Sequence, residues 1–310
     1  MIWGVLAQSI PDIDFISHLW LNIPEALLGH RGFTHSIFFA ILIVPFFALL
    51  ADKIHQPHNI SFRRWIFFFA TEVFFHLFID AFNNYGIGWF EPFSHERFSF
   101  NTIYVLDPLF SVWPVIALGR LIILNKYDLR RKFWWRLGII VPVLYIGICS
   151  INKLWLTNKI EKQIHADQSY CKRYFFTPAP FQNFLWYLVV ERKSGFDVGY
   201  TSVFDRKKKM NLHYFPRNDS LLKNISDHEN LQKLIRFSQN YYTIEKTNDT
   251  LLFNDLRFGQ MMGWKYPGGK FVFHYFLEHP DDNRLVVQRG RFTDLNISFF
   301  KSMFNRIIEN

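Results

Sequence analysis

Glu72, His76 and Asp80 are spaced four residues apart inside an otherwise apolar run, FRRWIFFFATEVFFHLFIDAFNNYG. On a helix turning about 100° per residue, each step of four drifts by only about 40°, so the three share one stripe. An ionisable group in hydrocarbon costs on the order of 2.5–3.5 kcal/mol or more, so such a stripe must face partners or a water-filled cavity. A second polar set, HRGFTHS at residues 30–36, stands directly before another apolar run, and a third, PDIDF at 11–15, precedes it. Imidazole and carboxylate without thiolate is the donor set of a hydrolytic Zn²⁺, Mn²⁺ or Fe²⁺ site that keeps positions open for water. Asp12, Asp14, His30, His35, His76 and Asp80 are the candidate metal ligands, enough for one cation or two. An unligated carboxylate, Asp14 or Glu72, is the candidate general base. Arg31 offers a planar donor fork to a phosphate or carboxylate on the substrate.

Each motif alone has a plainer reading. HRGFTHS could be a helix start capped by Thr34 or Ser36, PDID a turn, His76 an interior histidine and Glu72 a hydrogen-bonding partner. Taken together on one side of a membrane, they favour an ionic site.

The elements that must position these residues are membrane helices. Four runs of near the ~20 residues needed to cross hydrocarbon stand at Phe33–Ala51, Phe62–Phe82, Ile103–Leu124 and Phe133–Ile151, and Met1–Ile10 resembles the end of a fifth. Lys126, Arg130, Arg131, Lys132 and Arg136 crowd the loop after the third run, and Lys53, Arg63 and Arg64 follow the first. The positive-inside rule makes both loops cytoplasmic. His30–Ser36, His76–Asn84, Asp12, Asp14 and Asp107 then all lie at the outer side, as does everything after the fourth run. The sequence opens within an apolar segment lacking the charged start and cleavage site of a signal peptide.

Of the 310 residues, half are apolar, with 37 Phe and 10 Trp, and the longest apolar blocks lie before about residue 152. The expected fold is therefore a membrane all-α bundle of four to five spans followed by a soluble α+β domain. Residues 1–151 form the membrane part, 152–170 an amphipathic connecting helix and 171–310 the extracytoplasmic domain. Strand-like runs lie at 184–191, 196–204, 241–246, 250–255 and 270–278. Ser226–Glu229 reads as a capping box opening a helix to about Gln239, and a last amphipathic helix fills Asp294–Ile308.

The net charge of +9 fits cytoplasmic loops meeting anionic lipid, and with no aromatic-basic RNA motif or zinc-finger spacing it does not indicate nucleic acid. Cys149 and Cys171 form neither a CxxC site nor a plausible disulfide. KYPGGK (265–270) lacks the phosphate-loop pattern, RKKK (206–209) reads as a solvated basic loop, and His213, His228, His274 and His279 are scattered. No feature sets an oligomeric state.

PDIDF, HRGFTHS, the H-x-x-x-D of FFHLFIDAFNNYG and the following GWFEPFS together resemble the YdjM-like inner-membrane proteins, described as metal-dependent hydrolases. The resemblance covers about residues 4–110, and TPAPFQNFLWYLVVE and the later RFG (257–259) are similar to the carboxy-terminal extension of longer members. It implies a multi-pass inner-membrane hydrolase using a divalent cation. Asp12, Asp14, His30, Arg31, Thr34, His35, His76 and Asp80 would be its polar motif residues. Family members usually begin with a further helix bearing a T-H motif, which does not stand in this sequence. The expectation is Zn²⁺-assisted hydrolysis, or Mn²⁺- or Fe²⁺-assisted, at the outer face of the membrane. Membrane lipid would be the surroundings, and a lipid or lipid-linked phosphoester the substrate. The alternative is a non-enzymatic membrane protein, an ion or proton pathway or a scaffold for a ligand-binding outer domain. A stoichiometric metal separates the two.

Overall fold

A computed structural model describes residues 2–55, 60–166, 171–205, 209–247, 250–283 and 296–308. It divides into two compact units, Met1–Phe100 with Asp227–Phe237, and Asn101–Ser226 with Ser238–Asn310.

In the first unit, α1 (Ile2–Ser9) leads into a 3-10 segment, Pro11–Leu19, and then α2 (Ile23–Gly29). Asn22 and Glu25 form a capping box at the start of α2. A single 3-10 turn, Phe33–His35, precedes α3 (Ile37–Ile54). Of the two hydroxyls expected to cap α3, Ser36 does so, accepting the Phe39 amide at 3.0 Å. The α4 helix (Phe62–Asp80) returns against α3. Its buried stripe, Trp65, Phe69, Val73 and Leu77, packs with Val44, Ala48 and Ala51 of α3 and with Ala7 of α1. Small residues on α3 let the two axes approach while the large rings of α4 fill the groove. Glu72, His76 and Asp80 form a neighbouring stripe on α4, three residues beyond Phe69, Val73 and Leu77 in turn. The packing stripe thereby fixes where the polar stripe points.

The second unit opens with α5 (Pro108–Ile123), packed against α6 (Arg131–Ala166). The expected third span is shortened at its start because Asp107 caps α5, its carboxylate accepting the Leu109 amide at 2.9 Å. The expected fourth span and the described part of the expected connecting helix are one continuous helix of 36 residues. Its far end carries Leu156 and Ile160 onto a sheet ordered β1-β2-β3-β4, all antiparallel (Tyr174–Pro178, Leu185–Glu191, Gly195–Ser202, Leu212–Pro216). Strand alternation splits β2 between two cores. Trp186, Leu188 and Val190 face α6, whereas Leu185, Tyr187 and Val189 join a core with Phe299, Met303 and Ile307 of the last helix.

A second antiparallel sheet is ordered β5-β6-β7 (Tyr242–Thr247, Thr250–Gln260, Phe271–Phe276). Among the described residues two further helices follow the first sheet, α7 (His228–Phe237) and α8 (Ile297–Ile308). In place of the expected capping box from Ser226 to Glu229, the Asp227 side chain accepts the Asn230 amide at 3.0 Å, a cap one residue later. Residues 206–208 of the basic loop, 167–170 of the connecting segment, and 294 and 295 before α8 lie outside the described residues.

Among the described residues two helices are long and apolar enough to cross a membrane, Ile37–Ile54 and the Arg131–His165 stretch, with mean hydropathies of 2.3 and 1.8. The α5 helix is apolar but 16 residues long. Although 19 residues long, α4 carries Arg63, Arg64, Glu72 and Asp80.

Candidate metal centre

Four side chains of the first unit converge: Asp12 from the 3-10 segment, His35 from the turn before α3, and His76 and Asp80 from the last turns of α4. One donor atom from each lies within 4.8 Å of all the others. The two imidazole Nε2 atoms are 3.4 Å apart. Asp12 Oδ1 stands 3.4 Å from His35 Nε2 and 3.7 Å from His76 Nε2. Asp80 Oδ2 stands 3.5 and 3.7 Å from the same two nitrogens. A tetrahedral zinc with bonds of about 2.1 Å separates its ligand atoms by roughly 3.4 Å, so the five distances fit such a cation with small adjustments.

The surroundings of His35 select its tautomer. Its Nδ1 is 3.1 Å from Thr34 Oγ1, and that hydroxyl donates to Asp14 Oδ2 at 2.9 Å. With its proton spent on Asp14, Thr34 accepts from His35 Nδ1–H, which leaves the Nε2 lone pair directed at the cluster. Buried among these groups, Asp80 Oδ2 makes no hydrogen bond. Two facing imidazole lone pairs and two carboxylate oxygens repel one another unless protons or a cation lie between them. The donor set therefore fits a divalent cation.

Asp14 is the hub behind the cluster. Its oxygens accept from the Arg31 amide at 2.9 Å and from Thr34, and His30 Nδ1 is 3.1 Å away. Burial alone would raise its pKa, but the neighbouring His30 and His35 imidazoles outweigh it and hold the carboxyl well below the usual range. Asp12 is lowered as well, chiefly by the neighbouring His35 and His76 imidazoles. Both carboxylates are thus ionised at neutral pH, the form a cation requires. Asp12, Asp14 and His30 also make a second close trio, with Asp12 common to both groups.

The local backbone explains how HRGFTHS reaches Asp14. Arg31 sits at φ 58°, in the left-handed region that few non-glycine residues adopt. Its amide is held by Asp14 and its carbonyl accepts the Gly88 amide at 2.9 Å. A Cβ on Gly88 would stand 2.8 Å from Glu91 Cγ and 3.4 Å from the Arg31 carbonyl oxygen and Gly32 Cα, so a larger residue here would have to push the Glu91 side chain aside.

Of the residues expected at the site, Asp12, Asp14, His30, His35, His76 and Asp80 come together, and Arg31 joins them, its Nε 3.1 Å from Asp80 Oδ2. Glu72 belongs to neither group; its carboxylate accepts from Gln8 Nε2 at 2.6 Å. The four-residue spacing aligned it with His76, but α1 supplies it with a partner of its own. Asp107 belongs to the second unit, where Tyr145 Oη donates to its Oδ2 at 2.7 Å.

Sequence reasoning missed three supporting residues. Gln8 holds Glu72, Tyr85 lies under the Arg31 guanidinium at 5.3 Å, and Arg97 donates to the carbonyls of Leu28 and His30. Tyr85 was visible in NNYG; Gln8 and Arg97 carried no spacing signal.

The sequence profile of a family described as YdjM inner membrane protein matches residues 1–156. The inner membrane protein YbcI of Escherichia coli (strain K12) is 29% identical over 154 residues, covering 49% of this chain and 80% of that protein. An uncharacterized protein of Bacillus subtilis (strain 168), YfhP, is 30% identical over 179 residues, covering 54% of this chain and 49% of that protein. The chain thus spans about half the length of the second relative. No solved structure matches.

Proposed function

The chain belongs to the family of YdjM inner membrane proteins, and we propose that it is a multi-pass membrane hydrolase that uses a divalent cation. The observation carrying this reading is the set of four donors from Asp12, His35, His76 and Asp80 at tetrahedral spacing. Two nitrogens and two oxygens suit Zn²⁺ first, with Mn²⁺ or Fe²⁺ as alternatives. A divalent cation held there supplies Lewis acidity and lowers the pKa of water to about 7.

The chain's own residues do the rest. His35 and His76 present Nε2, and Asp12 and Asp80 supply the compensating charge. Asp14 sets the tautomer of His35 through Thr34 and anchors the Arg31 backbone. It is engaged by three donors and Glu72 is held by Gln8; with the cation expanded to five-coordinate by a water on the exposed side, the second oxygen of Asp12 would be the carboxylate oxygen best placed to take that water's proton. The Asp12 side chain is half exposed, so water reaches the cluster on its side.

In the proposed topology α3, α4, α5 and the first part of α6 cross the membrane. The basic loops after α3 and α5 are cytoplasmic, and the cluster and the carboxy-terminal domain are extracytoplasmic. At about 24 Å, α5 is shorter than the hydrocarbon core and would thin the bilayer locally. The family and the two apolar helices support membrane insertion; the sidedness rests on the loop charges.

The test is an ester and phosphoester hydrolysis screen on protein in lipid nanodiscs, before and after chelation. The expected result is activity that chelator removes, divalent cation restores, and His76→Ala and Asp80→Ala lack. Full hydrolysis after complete metal removal would overturn the reading.

A further inference from the structure

Arg31 is held more firmly than a surface arginine needs. Its backbone is pinned on both sides at φ 58°, its guanidinium lies over Tyr85, and the residue is 9% exposed. Nε is beside Asp80 Oδ2 without making a hydrogen bond, and Nε and Nη1 are both buried with no hydrogen-bond partner. A buried cationic donor left in that state is costly, and an observed backbone outlier at a polar cluster points toward function. Because Asp80 Oδ2, the ion-pair partner of Nε, is also one of the four cluster donors, the guanidinium and its unpartnered Nη1 stand next to the cation position.

Charge decides what can occupy that place. Asp12, Asp14 and Asp80 contribute three negative charges and Arg31 one positive. Without a divalent cation an incoming anion is repelled; with one, the local sum is zero and the guanidinium is available to it. The unpartnered Nη1 of this planar fork, an NH2 group with two N–H bonds, matches the oxygens of phosphate.

The same stretches of chain are lined with exposed apolar side chains. Phe15 follows Asp14 and is 65% exposed, and Phe93 is 79% exposed. Phe33, between Arg31 and Thr34, contacts Phe38 at 6.2 Å between ring centroids, and Phe38 contacts Phe93 at 5.5 Å. A continuous aromatic surface therefore starts two residues from the anion donors. We infer that Arg31 and the cation position form a phosphate seat, and that the substrate is an amphiphilic phosphoester whose tail lies along Phe33, Phe38 and Phe93. This rests on the cation-dependent reading above. Hydrolysis there forms a P–O bond from water and breaks the P–O bond to the alcohol, which leaves with one proton of that water.

The test uses the full chain in detergent, metal content measured first, with orthophosphate and decyl phosphate below its micellar concentration as probes. Metal-loaded protein should bind orthophosphate, and stripped protein should bind it at least tenfold more weakly. Arg31→Gln should lose at least tenfold in phosphate affinity at unchanged metal content, with Arg31→Lys intermediate. Decyl phosphate should bind wild-type protein at least tenfold more tightly than orthophosphate, and Phe33→Ser with Phe93→Ser should remove that gain. Absence of metal in wild-type protein overturns the hydrolase reading itself. Metal present with phosphate affinity indifferent to Arg31 overturns the seat alone, and equal affinity for the two probes in wild-type protein overturns the amphiphile. The last comparison needs no variant, so a poorly folding Arg31→Gln does not shelter the proposal.

Discussion

Replacing His76 by alanine removes one of four donors from the cluster while leaving the packing stripe of α4, Trp65, Phe69, Val73 and Leu77, untouched. The size of the effect follows from the geometry. Structural zinc sites with four protein ligands bind with roughly 10–16 kcal/mol, or about 2.5–4 kcal/mol per ligand if shared equally. At about 1.4 kcal/mol per decade, loss of His76 should weaken metal binding on the order of 10² to 10³-fold. Water entering beside Asp12 can take the vacated position, which favours the lower end. The assay is competition between purified protein and a chromophoric chelator, with thermal unfolding of both proteins saturated with metal as the folding control. A His76→Ala protein that folds normally and keeps wild-type affinity would refute the assignment of Nε2 as a donor.

Glu72→Gln should leave metal affinity unchanged within about threefold in the same competition, because Gln8 and not the cluster holds that carboxylate. Thr34→Val breaks the relay between His35 Nδ1 and Asp14 and should lower metal affinity about 10- to 100-fold, the usual cost of losing an outer partner of a ligand. In the second unit Asp205 receives both arms of Arg306, at 3.0 and 2.7 Å, and the Ser202 amide at 2.8 Å. Asp205→Asn should cost about 2–3 kcal/mol in chemical unfolding of that unit. Burial opposes the charge on Asp205, but Arg306 and the Ser202 amide outweigh it and lower its pKa, so its contribution is complete above the unfolded value of about 3.9. That contribution should disappear as pH falls through the lower folded value, and Asp205→Asn should flatten this part of the stability profile.

The polar stripe of α4 was legible in the sequence because a spacing of four is a local property of helices, and His76 and Asp80 follow from it directly. The same spacing also included Glu72, since periodicity reports a shared face and not which neighbour each side chain meets. Asp14 as hub was less legible. Its role depends on Arg31 adopting φ 58° and on Gly88 closing over that carbonyl, both products of tertiary packing. The strongly patterned strands stood out, whereas β1 and β4 did not. β1 is five residues with four consecutive buried positions, and β4 is short with no fully buried position. The Asp107-Pro108 pair carried the signal for the late start of α5, but the apolar residues before it extended the expected span.

The central claim is that Asp12, His35, His76 and Asp80 enclose one divalent cation. X-ray absorption at the metal edge of protein purified without added chelator tests this directly. The account predicts a stoichiometric metal with a first shell of nitrogen and oxygen near 2.0–2.1 Å and the outer scattering of two imidazoles, reduced to one in His76→Ala. A shell of water oxygens without imidazole scattering, or the same two-imidazole signature in His76→Ala, would contradict it.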